Sequence, residues 1–495
     1  MARWRRIIGI LSLAVAITVL TSRAPTKAQQ APRDDGGVTP AAQSAEQQAR
    51  PEPPRPAGAG GSYRPNDDPY PSTYKVPASK PFAITNATVM TAAGPTIRGG
   101  TVVVRDGRII DVGAKVSIPA DAVVIDGAGK YVTPGVIDVH THLGVYPAPA
   151  VAALSDGNEA TSPSTPEVWA EHSVWPQDPQ FPRDLAGGVT TLQTMPGSAN
   201  LIGGRTVVLK VVPARTVQEM KFPGAKYGLK MACGENPKSV YAKSGPSTRM
   251  GNMAGYREAF IKAERYRRKW DQWLAEPKGD PPDRDLAMDT LAETLRGNML
   301  AQTHCYRADE MAQMIDLAKE FGFSIRAFHH AIEAYKVADL LAREHISAAV
   351  WADWGTFKME AMDPVMTNAA LVFAAGARPV IHSDDPIGSQ RLNQEAAKAM
   401  AAGRAAGIPV TEDDAVKWFT ANAAWTLGLD DRIGTIAPGR NADLVLWSGN
   451  PFSVYTKADR VWIDGALRFD RSAPGDWWRT DFELGFVPPV QKGRQ

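Results

Sequence analysis

Residues Gly135–Gly144 read GVIDVHTHLG, an apolar run that carries two histidines, His140 and His142, two positions apart. Alternation along a strand puts such residues on one face, so both imidazoles point one way while Val139, Thr141 and Leu143 point the other. That spacing suits chelation of a metal ion. It equally suits a pair of hydrogen-bonded histidines at a strand end, and the rest of the chain has to separate the two.

Downstream the same texture recurs in GVTTLQTMP, RTVVLKVV, YGLKMAC, MLAQTHCY, SIRAFHHA, SAAVWAD and RPVIHSDD, with helical stretches between the runs. Eight apolar β-type runs separated by helices predict an α/β chain with a parallel (β/α)8 TIM-like barrel over residues 135–433. The stretch after MLAQTHCY shows the helical period: Met311, Ile315, Ala318 and Phe321 form one apolar face before Gly322 ends it. Residues 251–297 form a charge-laced helical insertion broken at Glu276–Pro282, whose Arg and Lys residues predict a solvated face.

Upstream, Phe82–Val132 alternates in short runs around Asp106-Gly107, a tight-turn dipeptide. IGTIAPGRNADLVLW and ADRVWIDGALRF restore that texture after residue 433. The two segments, 81–134 and 434–470, predict a small flanking β-sandwich domain into which the barrel is inserted, followed by a tail at 471–495.

The 495 residues carry a formal charge of +2. Residues 1–28 open with three arginines, followed by an apolar run from Ile7 to Leu20 and small residues ending at Ala28, the plan of a secretory signal peptide; the run is too short for a comfortable membrane span. WRRII also permits a twin-arginine route. Loss of this leader removes five basic residues and no acid, which takes the charge from +2 to −3; nothing points to nucleic acid. Residues 29–80, rich in Pro, Ala, Gly and Gln, predict a disordered linker up to about residue 75. The expected location is therefore exported, periplasmic or secreted. The cysteines, Cys233 and Cys305, allow at most one bridge, and strand alternation predicts them as small buried hydrophobes facing the helix layer.

Only eight histidines occur, and the predicted strands put His140, His142, His304 and His330 at their carboxyl ends, with Asp384 ending the eighth. Barrel active sites lie at that face, and imidazoles with a carboxylate suit zinc or a similar divalent ion.

PGVIDVHTH at Pro134–His142, GVTT at Gly188–Thr191 and GTIAPGRNADLVLW at Gly434–Trp447 make the chain resemble the amidohydrolase superfamily over roughly residues 82–470. GLKMACGENPK, THCYRADEM, FHHAIEAYKVAD and HSDD make it most similar to the imidazolonepropionase-like and exported Xaa-dipeptidase-like branch. The resemblance implies a metal-dependent hydrolase of C–N bonds. His140 and His142 would bind the more buried of two metals, His304 and His330 the outer one. Asp384 would bind the buried metal and move the proton of the attacking water. Lys230, carboxylated, would bridge two zinc ions; Glu235 is a rival bridge, and a solvent-facing Lys230 is the plain alternative. In FHHA the family pattern selects His330 over His329.

Substrate contacts are predicted from the Gly-rich PGSANLIGGR, with Asn200 and Arg205 as donors for a carboxylate, and from Tyr306, Arg307, Tyr335, Lys336 and His382 near the ligands; a packing role is open for each. The expected partner is a small molecule or short peptide, with a homo-oligomer left open. The competing expectations are a mononuclear enzyme of imidazolonepropionase or deaminase type acting on a cyclic amide or amidine, and a binding protein that retains the scaffold. Lys230 argues against the first, and the complete ligand set against the second.

Overall fold

Strands before and after the central region close into one sheet in the computed structural model, which describes residues 68–480. β1 (Phe82–Val89), β2 (Ile97–Arg105), β3 (Arg108–Gly113), β4 (Val123–Asp126) and β5 (Tyr131–Pro134) precede the central region; three further strands follow it. These are β15 (Leu444–Trp447), β16 (Ala458–Ile463) and β17 (Ala466–Asp470), and the order is β17-β16-β15-β5-β1-β2-β3 with β4 beside β1. Asp106 and Gly107 both take left-handed backbone (φ 50° and 75°), as the tight turn between β2 and β3 requires. Phe82, Ile84, Val102, Val104, Val132, Leu444 and Trp462 form its apolar core, each worth about 1.5–3 kcal/mol when fully buried.

The central strands are β6 (Val136–Thr141), β7 (Val189–Thr194), β8 (Ile202–Arg205), β9 (Val207–Lys210), β10 (Gly228–Ala232), β11 (Leu300–Cys305), β12 (Ile325–His330), β13 (Ser347–Val350) and β14 (Arg378–Ile381). They form two sheets, β14-β13-β12-β11-β10-β8 and β6-β7-β9. β10 to β14 pair in parallel, as do β6 and β7. β6 to β10 and β13 are buried at every position, as expected of strands covered on both faces. Asp384 N–H donates to His140 O at 2.9 Å, joining the segment after β14 to β6.

One predicted strand runs the other way. RTVVLKVV becomes the end of β8 and β9, which are antiparallel to β10 and β7 respectively. The chain between β7 and β8 is only Met195–Leu201; a parallel return needs a crossover of a dozen or more residues, so the strand turns back. Thr206, between β8 and β9, accepts from Gln193 Nε2 and Gly228 N–H, both at 2.9 Å.

The helix Ala308–Phe321 buries Met311, Ile315, Ala318 and Phe321, and Gly322 caps it in the left-handed region (φ 73°). The insertion forms helices Arg249–Ala275 and Leu286–Leu295, capped by Thr248 and Asp285, with Tyr256, Phe260, Ala263 and Trp270 on the inner face of the first.

Two expectations need correction. Cys233 and Cys305 are joined in a disulfide rather than packed as free hydrophobes, with Cα atoms 5.3 Å apart. Ala232 pairs with His304 across β10 and β11, so the next residue of each strand faces the other. The linker expected over 29–80 also ends early, since residues 68–80 are docked. Asp68 pairs with Lys221 at 2.8 Å, Thr73 N–H donates to Gln218 O at 3.0 Å, and Tyr74 Oη donates to Asp464 at 2.7 Å. The expected signal (1–28), the rest of the expected linker and the end of the tail (481–495) lie outside the described residues. At the start of the tail Trp478 stacks on Phe181 at 6.4 Å. Among the described residues no helix is long and apolar enough to cross a membrane.

The disulfide spans 72 positions of sequence. Replacing both Cys233 and Cys305 with Ala is expected to lower the unfolding free energy by about 2–5 kcal/mol, read by denaturant titration against the oxidised wild type.

Candidate active site

The ends of β6, β10, β11, β12 and β14 converge. His142 Nδ1 donates to Met195 O at 2.8 Å, because a carbonyl can only accept. In the neutral ring Nε2 is then a lone pair, yet it faces Asp384 Oδ1 at 3.2 Å, and His140 Nε2 faces the same oxygen at 3.3 Å. For His142 this sets a lone pair against a carboxylate, an arrangement that a cation between them would satisfy. His140, His142 and Asp384 place their donor atoms within 4.8 Å of one another, and so do His140, His330 and His382.

Lys230 lies fully buried beside them, and its Nζ meets His140 Nε2 at 3.3 Å and Met195 Sδ at 3.1 Å rather than a carboxylate. Burial pushes its ammonium down to about 7 against the pull of Asp384. The solvent-facing alternative is thereby excluded. Glu235 sits instead near Lys358, 3.8 Å away, with its N–H on Glu360 Oε2 at 2.9 Å.

His304 pairs its Nδ1 with Ser198 Oγ at 2.8 Å, leaving Nε2 buried with no partner. Its ring packs on that of His330 at 4.6 Å. His330 Nδ1 meets His382 Nε2 at 3.0 Å. His329 lies against His140 as well, at 4.8 Å between rings, and bonds Gln302 Oε1 through Nε2 at 2.7 Å. Neighbours on a regular strand point apart; here His330 takes a left-handed backbone (φ 68°), which breaks the alternation and lets both rings face inward. Asp384 is also left-handed (φ 65°).

Desolvation holds His140, His304 and His330 well below the ordinary imidazole range, so these rings are neutral and can offer lone pairs. Burial works against the Asp384 charge, and its carboxyl is held well below the usual range only by positive charge facing it from the His330 and His142 positions; with those rings neutral, a bound cation would have to supply that charge. Beneath them Asp138 accepts from Ser383 Oγ and from His140 N–H at 3.2 Å, tying β6 to the end of β14; burial pushes its carboxyl up to about 7.

The predicted substrate contacts divide. Tyr306 belongs to the site: it stacks on His330 at 5.3 Å and meets His304 edge-on at 4.6 Å. His382 belongs too, as a potential ligand. Asn200 does not, because its amide donates to Glu159 O at 2.7 Å, Ser162 O at 2.8 Å and Tyr241 Oη at 2.9 Å and so staples loops together. Arg205 pairs with Leu229, at the far end of β10 from His304, and lies over the Trp169 ring at 3.9 Å; the reversal of β8 carries it there. Arg307 is exposed and forked with Asp309 at 2.9 Å. Tyr335 lies on a short turn with its N–H on Asn368 Oδ1 at 3.0 Å, and Lys336 pairs with Glu333 and Asp363 at 2.9 and 2.6 Å.

Sequence reasoning missed Ser198, Met195, Asp138 and the aromatic residues after β13. Trp351 stacks on His330 at 4.5 Å and on His382 at 5.0 Å. The signal for Ser198 was its place in the Gly-rich loop; residues 351–357 follow no helical or strand period.

Replacing Ser198 with Ala frees the His304 ring to turn. The expected result is about 10–100-fold weaker binding of a divalent ion, measured by chelator competition, with the fold intact by circular dichroism.

A sequence profile described as the amidohydrolase family matches residues 333–469. A solved amidohydrolase from Thermotoga maritima is 39% identical and superposes with a TM-score of 0.73, covering 79% of this chain and 100% of its own. Amidohydrolase tasK of Hapsidospora irregularis is 34% identical over 398 residues, 75% of this chain, but this chain spans only 40% of that protein's length. The imidazolonepropionase of Sphingopyxis alaskensis is 24% identical over 408 residues, covering 74% of this chain and 92% of its own.

Proposed function

Because the chain belongs to the amidohydrolase superfamily, hydrolases of carbon–nitrogen bonds, we propose that it is an exported metal-dependent enzyme cleaving an amide or peptide-like bond at a binuclear site. The observation that carries this reading is the convergence of His140 Nε2 and His142 Nε2 on one Asp384 oxygen, with the His142 Nδ1 proton already spent on Met195 O. In this reading the central strands form a (β/α)8 barrel beside a β-sandwich.

His140, His142 and Asp384 would hold one zinc ion, His304 and His330 a second, and Lys230, carboxylated, would bridge them. The donor set fits, since neutral imidazoles with buried orphan nitrogens and a carboxylate suit such ions. When bound, the ions supply Lewis acidity that makes water a nucleophile near neutral pH. Asp384, ionised and partly exposed, would take the proton from the attacking water and hand it to the departing nitrogen. Met195 O and Ser198 orient the rings of His142 and His304. Lys230 suits carboxylation because burial favours its neutral amine, the form that adds carbon dioxide. Export is supported by the leader-like N-terminus and by the Cys233–Cys305 disulfide, a bond of oxidising compartments.

A mononuclear enzyme opening a cyclic amide is the second reading, favoured by the imidazolonepropionase relative. Metal analysis separates the two: protein prepared with zinc and bicarbonate is expected to hold two ions per chain, and a fully loaded sample with one supports the second.

Asp384→Asn is expected to keep at least one ion and lower turnover of a cleaved dipeptide by about 10²–10⁴-fold, whereas His304→Ala loses metal and activity in parallel. Metal content and turnover of the two variants are compared directly; an Asn variant fully loaded and within a fewfold of wild type removes Asp384 from the proton path. Lys230→Ala is expected to lose the bridged pair and activity together, with partial rescue by short carboxylic acids.

A further inference from the structure

The segment after β13 builds a continuous aromatic wall from the candidate ligands to solvent. Trp351, buried, lies face to face with His330 and His382 and fixes its indole by donating to Ser383 O at 2.9 Å. Trp354 packs on Trp351 at 4.6 Å, and Phe357 on Trp354 at 5.4 Å and on Trp351 at 5.9 Å. Tyr306 closes the wall from β11, 6.2 Å from Phe357. Trp354 and Phe357 nevertheless remain 43% and 48% exposed.

The segment is anchored where it carries these rings. Glu360 accepts from Glu235 N–H at 2.9 Å and from Arg249 Nη2 at 2.8 Å, and Asp353 pairs with Lys398 at 2.8 Å. A Cβ on Gly234 would lie 2.6 Å from Glu360 Oε2, so glycine there admits the anchoring carboxylate. The wall is thus preformed, which reduces the ordering cost of binding. Its ammonium, Lys358, lies over the Tyr306 ring at 4.1 Å and is engaged by Asn236 Oδ1 at 2.6 Å and Glu360 at 3.5 Å. What the wall offers a ligand is ring faces, not charge.

We infer that this wall selects substrates whose residue beside the scissile bond carries a large, uncharged, preferably aromatic side chain, laid across Trp354 and Phe357. The inference deepens the hydrolase reading and rests on it for the bond that is cleaved. Two ring contacts of this kind are expected to give a preference of about tenfold or more over a side chain that makes neither.

The test has two arms, each run on the metal-loaded wild type, Trp354→Ala and Phe357→Ala. Dipeptides Gly-Xaa and Xaa-Gly with Xaa as Ala, Leu, Phe, Asp or Lys are compared by kcat/KM. Binding of 3-phenylpropionate and of propionate, which differ by one phenyl ring, is measured by calorimetry. Metal content and melting temperature report whether each variant is folded, and two exposed positions guard against loss of either. The expected result is at least about tenfold preference for Phe over Ala and for the phenyl ligand, with both ratios falling to within about threefold in the variants. Cleavage with equal rates for Ala and Phe and no phenyl preference in binding overturns the wall's role and leaves the hydrolase reading standing. No cleavage of any dipeptide, with the phenyl preference present in wild type and lost in the variants, overturns the reading of the bond and leaves the wall.

Discussion

Asp384 is held by two kinds of contact at once. Its N–H donates to His140 O while its carboxylate faces the imidazoles of His140 and His142. The first is a backbone bond between β6 and the segment that follows β14; the second is the chemistry of the site. Because one residue makes both, the strands cannot separate without moving the donor atoms apart. Ser383 adds a side-chain bond to buried Asp138 on β6, so the junction is held at two successive residues. Everything else in the site hangs from this seam.

On the far side of the cavity the disulfide does comparable work for Lys230 and His304. These residues lie on adjacent parallel strands, and the bridge joins Cys305, next to His304, to Cys233, three residues beyond Lys230. The loop it closes contains the whole helical insertion, whose Arg249 reaches Glu360 and thereby the segment carrying Trp354 and Phe357. A covalent link that stabilises the fold thus also fixes the base of the element that walls the mouth. Cross-links of this kind act largely by limiting the unfolded chain, which makes their benefit independent of what the loop later binds.

The legible parts were those encoded by short-range pattern. Two histidines at spacing two, a helix period ending in Gly322 and an Asp-Gly turn each have a local cause, and each is found where it was expected. Strand direction has no such signature: β9 alternates in the same way whichever way it runs, and only the brevity of Met195–Leu201 carried the information. Arg205 was misassigned for the same reason. Cys233 and Cys305 were a register problem, since pairing depends on how β10 and β11 slide against each other. The aromatic segment after β13 was invisible because loop residues that act through tertiary stacking leave no periodic trace.

Backbone conformation at two positions sets where the donor atoms of the site lie. His330 and Asp384 both adopt left-handed conformations, a state that costs a non-glycine residue about 1–3 kcal/mol. Asp and His tolerate this region better than most side chains, so the cost at both positions lies toward the low end. The surrounding contacts hold both in place: Trp351 and Tyr306 lie against the His330 ring, Trp351 donates to Ser383 O, and the seam to β6 fixes Asp384. Relaxing either residue would turn His330 away from His382 or swing the carboxylate off the His140–His142 pair. The strained backbone and the closeness of the donor atoms are therefore one arrangement, and the packing that maintains the first also maintains the second.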